Sequence, residues 1–134
     1  MKYDSGKLMF TCLTRGLAFA LRSVAAVLTY GALKYKPDSW KTIPDAKRRY
    51  EDALDRHLNA WKAGEGVDDE SHMDHLAHAA CNMLFLLQLE IDSMRDNGAH
   101  LGQYFEFRDP RTEGRPSAKQ PIMQYREELQ NETN

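Results

Sequence analysis

Cysteine is scarce in this chain. Cys12 and Cys81 are its only two among 134 residues; both sit in mostly apolar surroundings with helical periodicity, and no CxxC spacing occurs. They read as an accidental reduced pair in a cytosolic protein rather than as a disulfide framework. Charge of one sign is not in excess either. The net charge is −2, which gives no global electrostatic case for a nucleic-acid partner. A membrane span needs about 20 clean apolar residues, and none is present. The nearest run, "GLAFALRSVAAVLTYGAL", is interrupted by Arg22, so it reads as a core helix and no membrane partner is expected. The N-terminus "MKYDSGK" is polar and shows no signal peptide. Internal repeats and convincing strand pairing are also missing. What remains is a chain of one-domain size, expected in the cytoplasm.

The periodicity that is present is helical. Residues 1–11 look irregular. A first helix is expected over about 13–34, with Leu13, Leu17, Leu21, Val24, Val27 and Leu28 on one face and a stop near "KYKPDSW". A second begins at "IPDAKRR", where Pro44 suits the first turn and Asp45 the positive end of the dipole. Tyr50, Ala53, Leu54, Leu58 and Trp61 form its apolar face, and "AGEG" ends it near residue 64. Ser71 is a plausible N-cap for a third helix over about 72–96, ended by "DNGAH". Beyond Gly98 the composition turns to Pro, Gly and charge, which predicts an extended or mobile tail over 99–134; "PIMQYREELQ" could form a short terminal helix. The expectation is an all-α helical bundle of three long helices plus a polar C-terminal tail. Helices one and three are apolar over more than one face, which argues for burial against another copy, as a homodimer or homotetramer.

The third helix carries the chemical question. In "HMDHLAHAACNMLFLL", Leu76, Ala80, Met83, Leu84 and Leu87 repeat at helical spacing and predict a buried stripe. His75, His78 and Asn82 form a second stripe beside it, and polar side chains near a core need partners. On helix two, Glu51, Asp52 and Asp55 make an E-D-x-x-D cluster within an arc of about 100°. Two readings are open. The acids form a solvated face balanced by Arg48, Arg49 and Arg56, with the histidines as hydrogen-bonded core fillers. Alternatively, antiparallel packing sets the Asp52/Asp55 turn against the His75/His78 turn, and carboxylate and imidazole together hold a divalent metal.

These motifs resemble those of known families. "EDALD" at 51–55 is similar to the E-E-x-x-E motif of the MazG-like all-α nucleoside triphosphate pyrophosphohydrolases, while "HLAH" at 75–78 occupies the place of their E-x-x-D with histidine at both carboxylate positions. A closer resemblance covers most of residues 2–90. The ordered blocks "KYDSGKLMF", "VLTYGALKYKPDSWK", "RRYEDALDRHLNAWKAGE" and "DDESHMDHLAHAACNMLFLLQLE" are similar to phage-encoded dATP/dGTP diphosphohydrolases. That resemblance implies an all-α nucleotide pyrophosphohydrolase domain over 1–98, acting in the host cell cytoplasm. The implied reaction cleaves a purine deoxynucleoside triphosphate to monophosphate and pyrophosphate. Some members of that family, called MazZ, look like suppliers of dGMP in phages that replace adenine with 2-aminoadenine.

A triphosphate substrate needs Mg²⁺ or Mn²⁺ and basic side chains. Glu51, Asp52, Asp55, His75 and His78 are then the candidate ligands, with Glu51 the best-placed general base if it is not itself a ligand. Lys7, Lys34, Lys36, Lys41 and Arg56 are candidates for phosphate oxygens, although each lysine alone is equally an ordinary surface charge. Tyr35 and Trp40 could stack on a purine or simply pack, and Asn82 could read a base edge or hold a metal-bound water. Two other classes stay open: a metal-dependent triphosphohydrolase releasing nucleoside and triphosphate, and a non-enzymatic helical interaction protein.

Overall fold

The computed structural model describes residues 6–102, 107 and 109–111. They form four α-helices: α1 (Phe10–Thr14), α2 (Ala18–Lys34), α3 (Ala46–Lys62) and α4 (His75–Asp96), with a 3₁₀ turn at Ser39–Lys41. No strand occurs among the described residues; an isolated antiparallel bridge joins Val67 and Asp74. No described helix is long and apolar enough to cross a membrane. Most of the tail expected over 99–134, including the possible terminal helix, lies outside the described residues. Thr11–Leu89 form one compact unit; the described residues up to Phe10 and from Glu90 onward belong to a second.

The helix expected over 13–34 is divided in two. The break falls at Arg15–Leu17, where the Gly16 N–H reaches back to the Thr11 carbonyl at 3.4 Å. A Cβ at Gly16 would lie 2.6 Å from the Cys12 carbonyl oxygen, so this backbone path requires glycine. α3 closes with Gly64 at φ 94, the Glu65 N–H donating to the Ala60 carbonyl and the Gly64 N–H to the Trp61 carbonyl, each at 3.0 Å. This left-handed Schellman closure turns the chain sharply into the acidic loop. Gly98 ends α4 in the same manner, with φ 84 and the Ala99 N–H on the Met94 carbonyl at 3.0 Å.

The core of the Thr11–Leu89 unit is small: Val27, Ala77 and Cys81, packed by Val24, Met73 and Phe85. The Cys81 thiol lies 3.5 Å from the Val24 carbonyl. Burial pushes that thiol up to about 11, and Cys12 and Cys81 are both free. A second packing centre is aromatic. Trp40 stacks on Phe85 with centroids 4.4 Å apart, Tyr50 tilts against the same ring at 5.0 Å, and the Tyr50 hydroxyl donates to the Trp40 carbonyl at 2.6 Å. Tyr50→Phe keeps the ring and removes that bond. A loss of about 1 kcal/mol in urea unfolding is expected; an unchanged midpoint would mean that the bond adds nothing.

The apolar stripe expected on α4 is less buried than the polar stripe beside it. Leu76, Met83, Leu84 and Leu87 are 43–57% exposed, whereas His75 and Asn82 are buried together with Ala77, Ala79 and Cys81. At about 100° per residue, Ala77 and Cys81 share the sector that meets α2, while His75, His78, Ala79 and Asn82 share another. The Leu/Met sector lies between them; Leu76 and Ala80 line a cavity with Ala20, Ser23 and Val24 of α2 and Trp61 of α3, while Met83, Leu84 and Leu87 are exposed. Likewise, only Val27 of the expected face of the first helix is buried, and Leu13, Leu17 and Leu28 are exposed. On α3, Tyr50 is buried, Ala53, Leu54 and Leu58 are half-buried, and Trp61 is exposed.

Candidate metal centre

The polar stripe of α4 meets a histidine on α3. His57 lies on the same side of α3 as Tyr50, Ala53 and Leu54, because positions seven, four and three residues earlier share a helical face. Its Nδ1 stands 2.9 Å from Nδ1 of His75. One ring must present N–H and the other a lone pair, since two N–H groups would oppose each other. The His57 ring also stacks on His78, centroids 4.5 Å apart and planes 7° off parallel.

The acidic loop closes the third side. α4 begins at His75 rather than at residue 72, and Ser71 is not its cap. The residues before it instead make a tight turn with His72 at φ 58, the His72 N–H donating to the Asp68 carbonyl at 2.8 Å. Inside this turn Asp68 Oδ2 accepts the Ser71 N–H at 2.9 Å and the Ser71 hydroxyl at 3.0 Å. The hydroxyl also lies 2.7 Å from His78 Nε2. The His75 N–H is satisfied by the Gly66 carbonyl at 3.0 Å, which anchors the start of α4 to the loop. Glu65 stands at the edge, its carboxylate 3.8 Å from His75 Nε2.

His57, Asp68 and His75 thus converge, one ligand atom from each lying within 4.8 Å of the others. Two ligands at right angles, each about 2.1 Å from a cation, stand about 3 Å apart, which the His57–His75 nitrogen separation of 2.9 Å matches. Two imidazoles and a carboxylate suit Mn²⁺ or another transition metal better than Mg²⁺, which favours an all-oxygen shell.

The electrostatics keep the donors ready. Burial lowers the pKa of His57, and the neighbouring His78 lowers it further; burial lowers that of His78 as well. For Asp68, burial works upward, but the two Ser71 hydrogen bonds and the nearby imidazoles outweigh it and hold the carboxyl below its usual value. The unfolded chain therefore binds more protons than the folded one below the ordinary histidine pKa of about 6.5. Stability is full above that value and is lost as pH falls from it through the folded values of His57 and His78. Asp68 adds a loss in the same direction below about pH 4. With chelator present, the urea midpoint is expected to be flat from about pH 8 to 7 and to fall as pH drops below about 6.5, by at most about 1.4 kcal/mol per pH unit for each histidine. A flat profile through that window would show that the imidazoles gain no proton on unfolding.

The other expected residues are placed as follows. Glu51, Asp52 and Asp55 are exposed, at about 120°, 140° and 160° around α3 from His57. The structure therefore sets His57, not the acid cluster, opposite His75 and His78. Arg56 is also exposed on α3. Lys34 forms an ion pair with Glu70 of the acidic loop, which Tyr30 joins through its hydroxyl at 3.3 Å; the hydrogen bond that Lys34 itself donates to Glu70 raises the lysine pKa. Its ammonium also lies over the exposed Tyr35 ring at 5.3 Å. Lys41 lies over Trp40 at 5.6 Å, and Trp40 is engaged with Phe85. Asn82 is buried, its amide donating to the His78 carbonyl of its own helix at 2.9 Å. Lys7 is exposed and belongs to the other compact unit. His57, Asp68 and Ser71 were not among the sequence candidates. A histidine seven residues after Tyr50, inside the apolar stripe of its helix, was the available signal.

No solved structure matches the chain. One curated relative, a dATP/dGTP diphosphohydrolase of Salmonella phage PMBT28, is 30% identical over 89 residues, covering 66% of this chain but 29% of the relative. The chain thus spans under a third of that relative's length. The family described as dATP/dGTP diphosphohydrolase, N-terminal, matches residues 1–97. These 97 residues hold every member of the histidine–aspartate cluster, and the chain belongs to that family.

Proposed function

We propose that the protein hydrolyses purine deoxynucleoside triphosphates, dGTP, dATP or both, to the monophosphate and pyrophosphate with the help of a divalent cation. The observation that carries this is the convergence of His57, Asp68 and His75 in a chain of this family. The name of the phage relative points to the same substrates. In phage nucleotide metabolism, the product dGMP would feed synthesis of 2-aminoadenine DNA.

His57, Asp68 and His75 would hold Mn²⁺, which supplies charge neutralisation and a more acidic bound water. Glu65, at the edge of the cluster, is placed to accept a proton. Lys34 would meet phosphate oxygens once its pair with Glu70 opens. The acid face of Glu51, Asp52 and Asp55 would take a second cation, Mg²⁺ or Mn²⁺, carried by the triphosphate, and Glu51 acts as base only if the scissile phosphate reaches that face. A homodimer or homotetramer, formed through the open Leu/Met sector of α4, would cover exposed apolar surface.

The test is a panel of the eight common ribo- and deoxynucleoside triphosphates with Mn²⁺, the products being resolved. Monophosphate plus pyrophosphate from the purine deoxynucleotides is expected. Nucleoside plus triphosphate would establish the other regiochemistry. No turnover, together with no metal-dependent rise in stability, where binding at 100 times Kd adds about 2.7 kcal/mol, would leave a helical interaction protein.

A further inference from the structure

Ser71 sits where the loop, Asp68 and α4 meet, and its hydroxyl is fully used. A hydroxyl has one proton to give and two lone pairs. The proton goes to Asp68 Oδ2 at 3.0 Å. The lone pairs receive the Met73 N–H at 3.3 Å and His78 Nε2 at 2.7 Å. With its proton on Asp68, the hydroxyl can only accept from His78, so Nε2 of that ring carries a hydrogen. That nitrogen, bearing a proton, offers no lone pair to a metal, and His78 is not among the residues whose ligand atoms converge. Asp68 is in turn held at Oδ2 by both the amide and the hydroxyl of Ser71, while no hydrogen bond among the described residues falls on Oδ1. His78 has a second contact, its face lying flat against His57.

We propose that Ser71 and His78 are positioning residues of the cluster: Ser71 fixes the rotamer of Asp68 and the tautomer of His78, and His78 fixes the plane of His57. This rests on the metal-binding reading of His57, Asp68 and His75. It moves His78, expected as a ligand, into the shell that orients the ligands, where hydrogen bonds commonly decide metal affinity.

The test is Mn²⁺ affinity of the full chain, from the electron paramagnetic resonance signal of free Mn²⁺, with thermal melts alongside. Ser71→Ala is expected to weaken Mn²⁺ binding 10- to 100-fold with little change in melting, because the Ser71 amide still holds Asp68. Ser71→Thr keeps the hydroxyl and should restore most of the affinity, which a merely structural role would not require. His78→Phe keeps a ring against His57 and removes Nε2, so it should weaken binding far less than His57→Ala. Unchanged affinity in Ser71→Ala, or a loss in His78→Phe as deep as in His57→Ala, would overturn the assignment while leaving the metal site standing. Absence of saturable Mn²⁺ binding in the unmodified chain is a different result: it would remove the metal-binding reading itself, and this inference with it.

Discussion

His57→Ala should abolish saturable Mn²⁺ binding and lower kcat/KM by well over a hundredfold, while far-ultraviolet circular dichroism stays that of a helical protein. Replacing a residue that merely orients a ligand already costs 10- to 100-fold, so removing a ligand nitrogen costs more. The helix should survive, because alanine is the best helix former and His57 is only half-buried. Asp52→Ala is the informative companion. Asp52 is exposed on the far side of α3, so it touches nothing that binding at His57 and His75 requires. A variant that keeps Mn²⁺ affinity but loses turnover would place a second cation on the acid face. Loss of Mn²⁺ binding in Asp52→Ala with full retention in His57→Ala would move the metal centre to the E-D-x-x-D cluster and defeat the reading given above.

The second large effect is on assembly. Leu84→Arg combined with Leu87→Arg places two cations in the open sector of α4, at side chains 49% and 46% exposed. In an isolated chain, surface substitutions of this kind stay within about 0.5 kcal/mol each. In an oligomer closed through that sector they bury unpaired charge, which costs several kcal/mol. The double variant is therefore expected to sediment as a monomer under conditions where the unmodified chain is a dimer or tetramer. An unmodified chain that is itself monomeric at micromolar concentration, or a double variant of unchanged mass, would free the Leu/Met sector for some other role.

These two positions also show why one part of the molecule was legible in its sequence and another was not. The ends of α3 and α4 could be read from residue types alone, because glycine at Gly64 and Gly98 is what a left-handed closure selects. The division between α1 and α2 could not, since leucines and alanines continue through it and only the Gly16 contact with the Cys12 carbonyl marks it. The phase of α4 is not legible in residue types for a physical reason. Apolar periodicity identifies a face that avoids water, but it does not say whether the cover comes from the same chain. His75, His78 and Asn82 were rightly singled out as polar groups in need of partners. Residue types suggest carboxylates as their partner, yet helix geometry selects whatever shares the face of Tyr50, and that is His57. Asp68 and Ser71 lie in a seven-residue acidic stretch whose turn depends on the left-handed backbone at His72, a feature residue types do not announce.

The contact between His57 and His75 closes a loop of chain across 18 positions. A disulfide closing a loop of about 15 residues stabilises by about 3 kcal/mol through the freedom it removes from the unfolded chain, and the dependence on length is shallow. A cation shared by His57, Asp68 and His75 would act as the same kind of crosslink, with the difference that dilution or chelation would undo it. The connection between α3 and α4 would then be a reversible staple, and its susceptibility to proteases would follow the free concentration of the ion. Protection of that connection from proteolysis on adding Mn²⁺, reversed by chelator, would be the mark of such a staple.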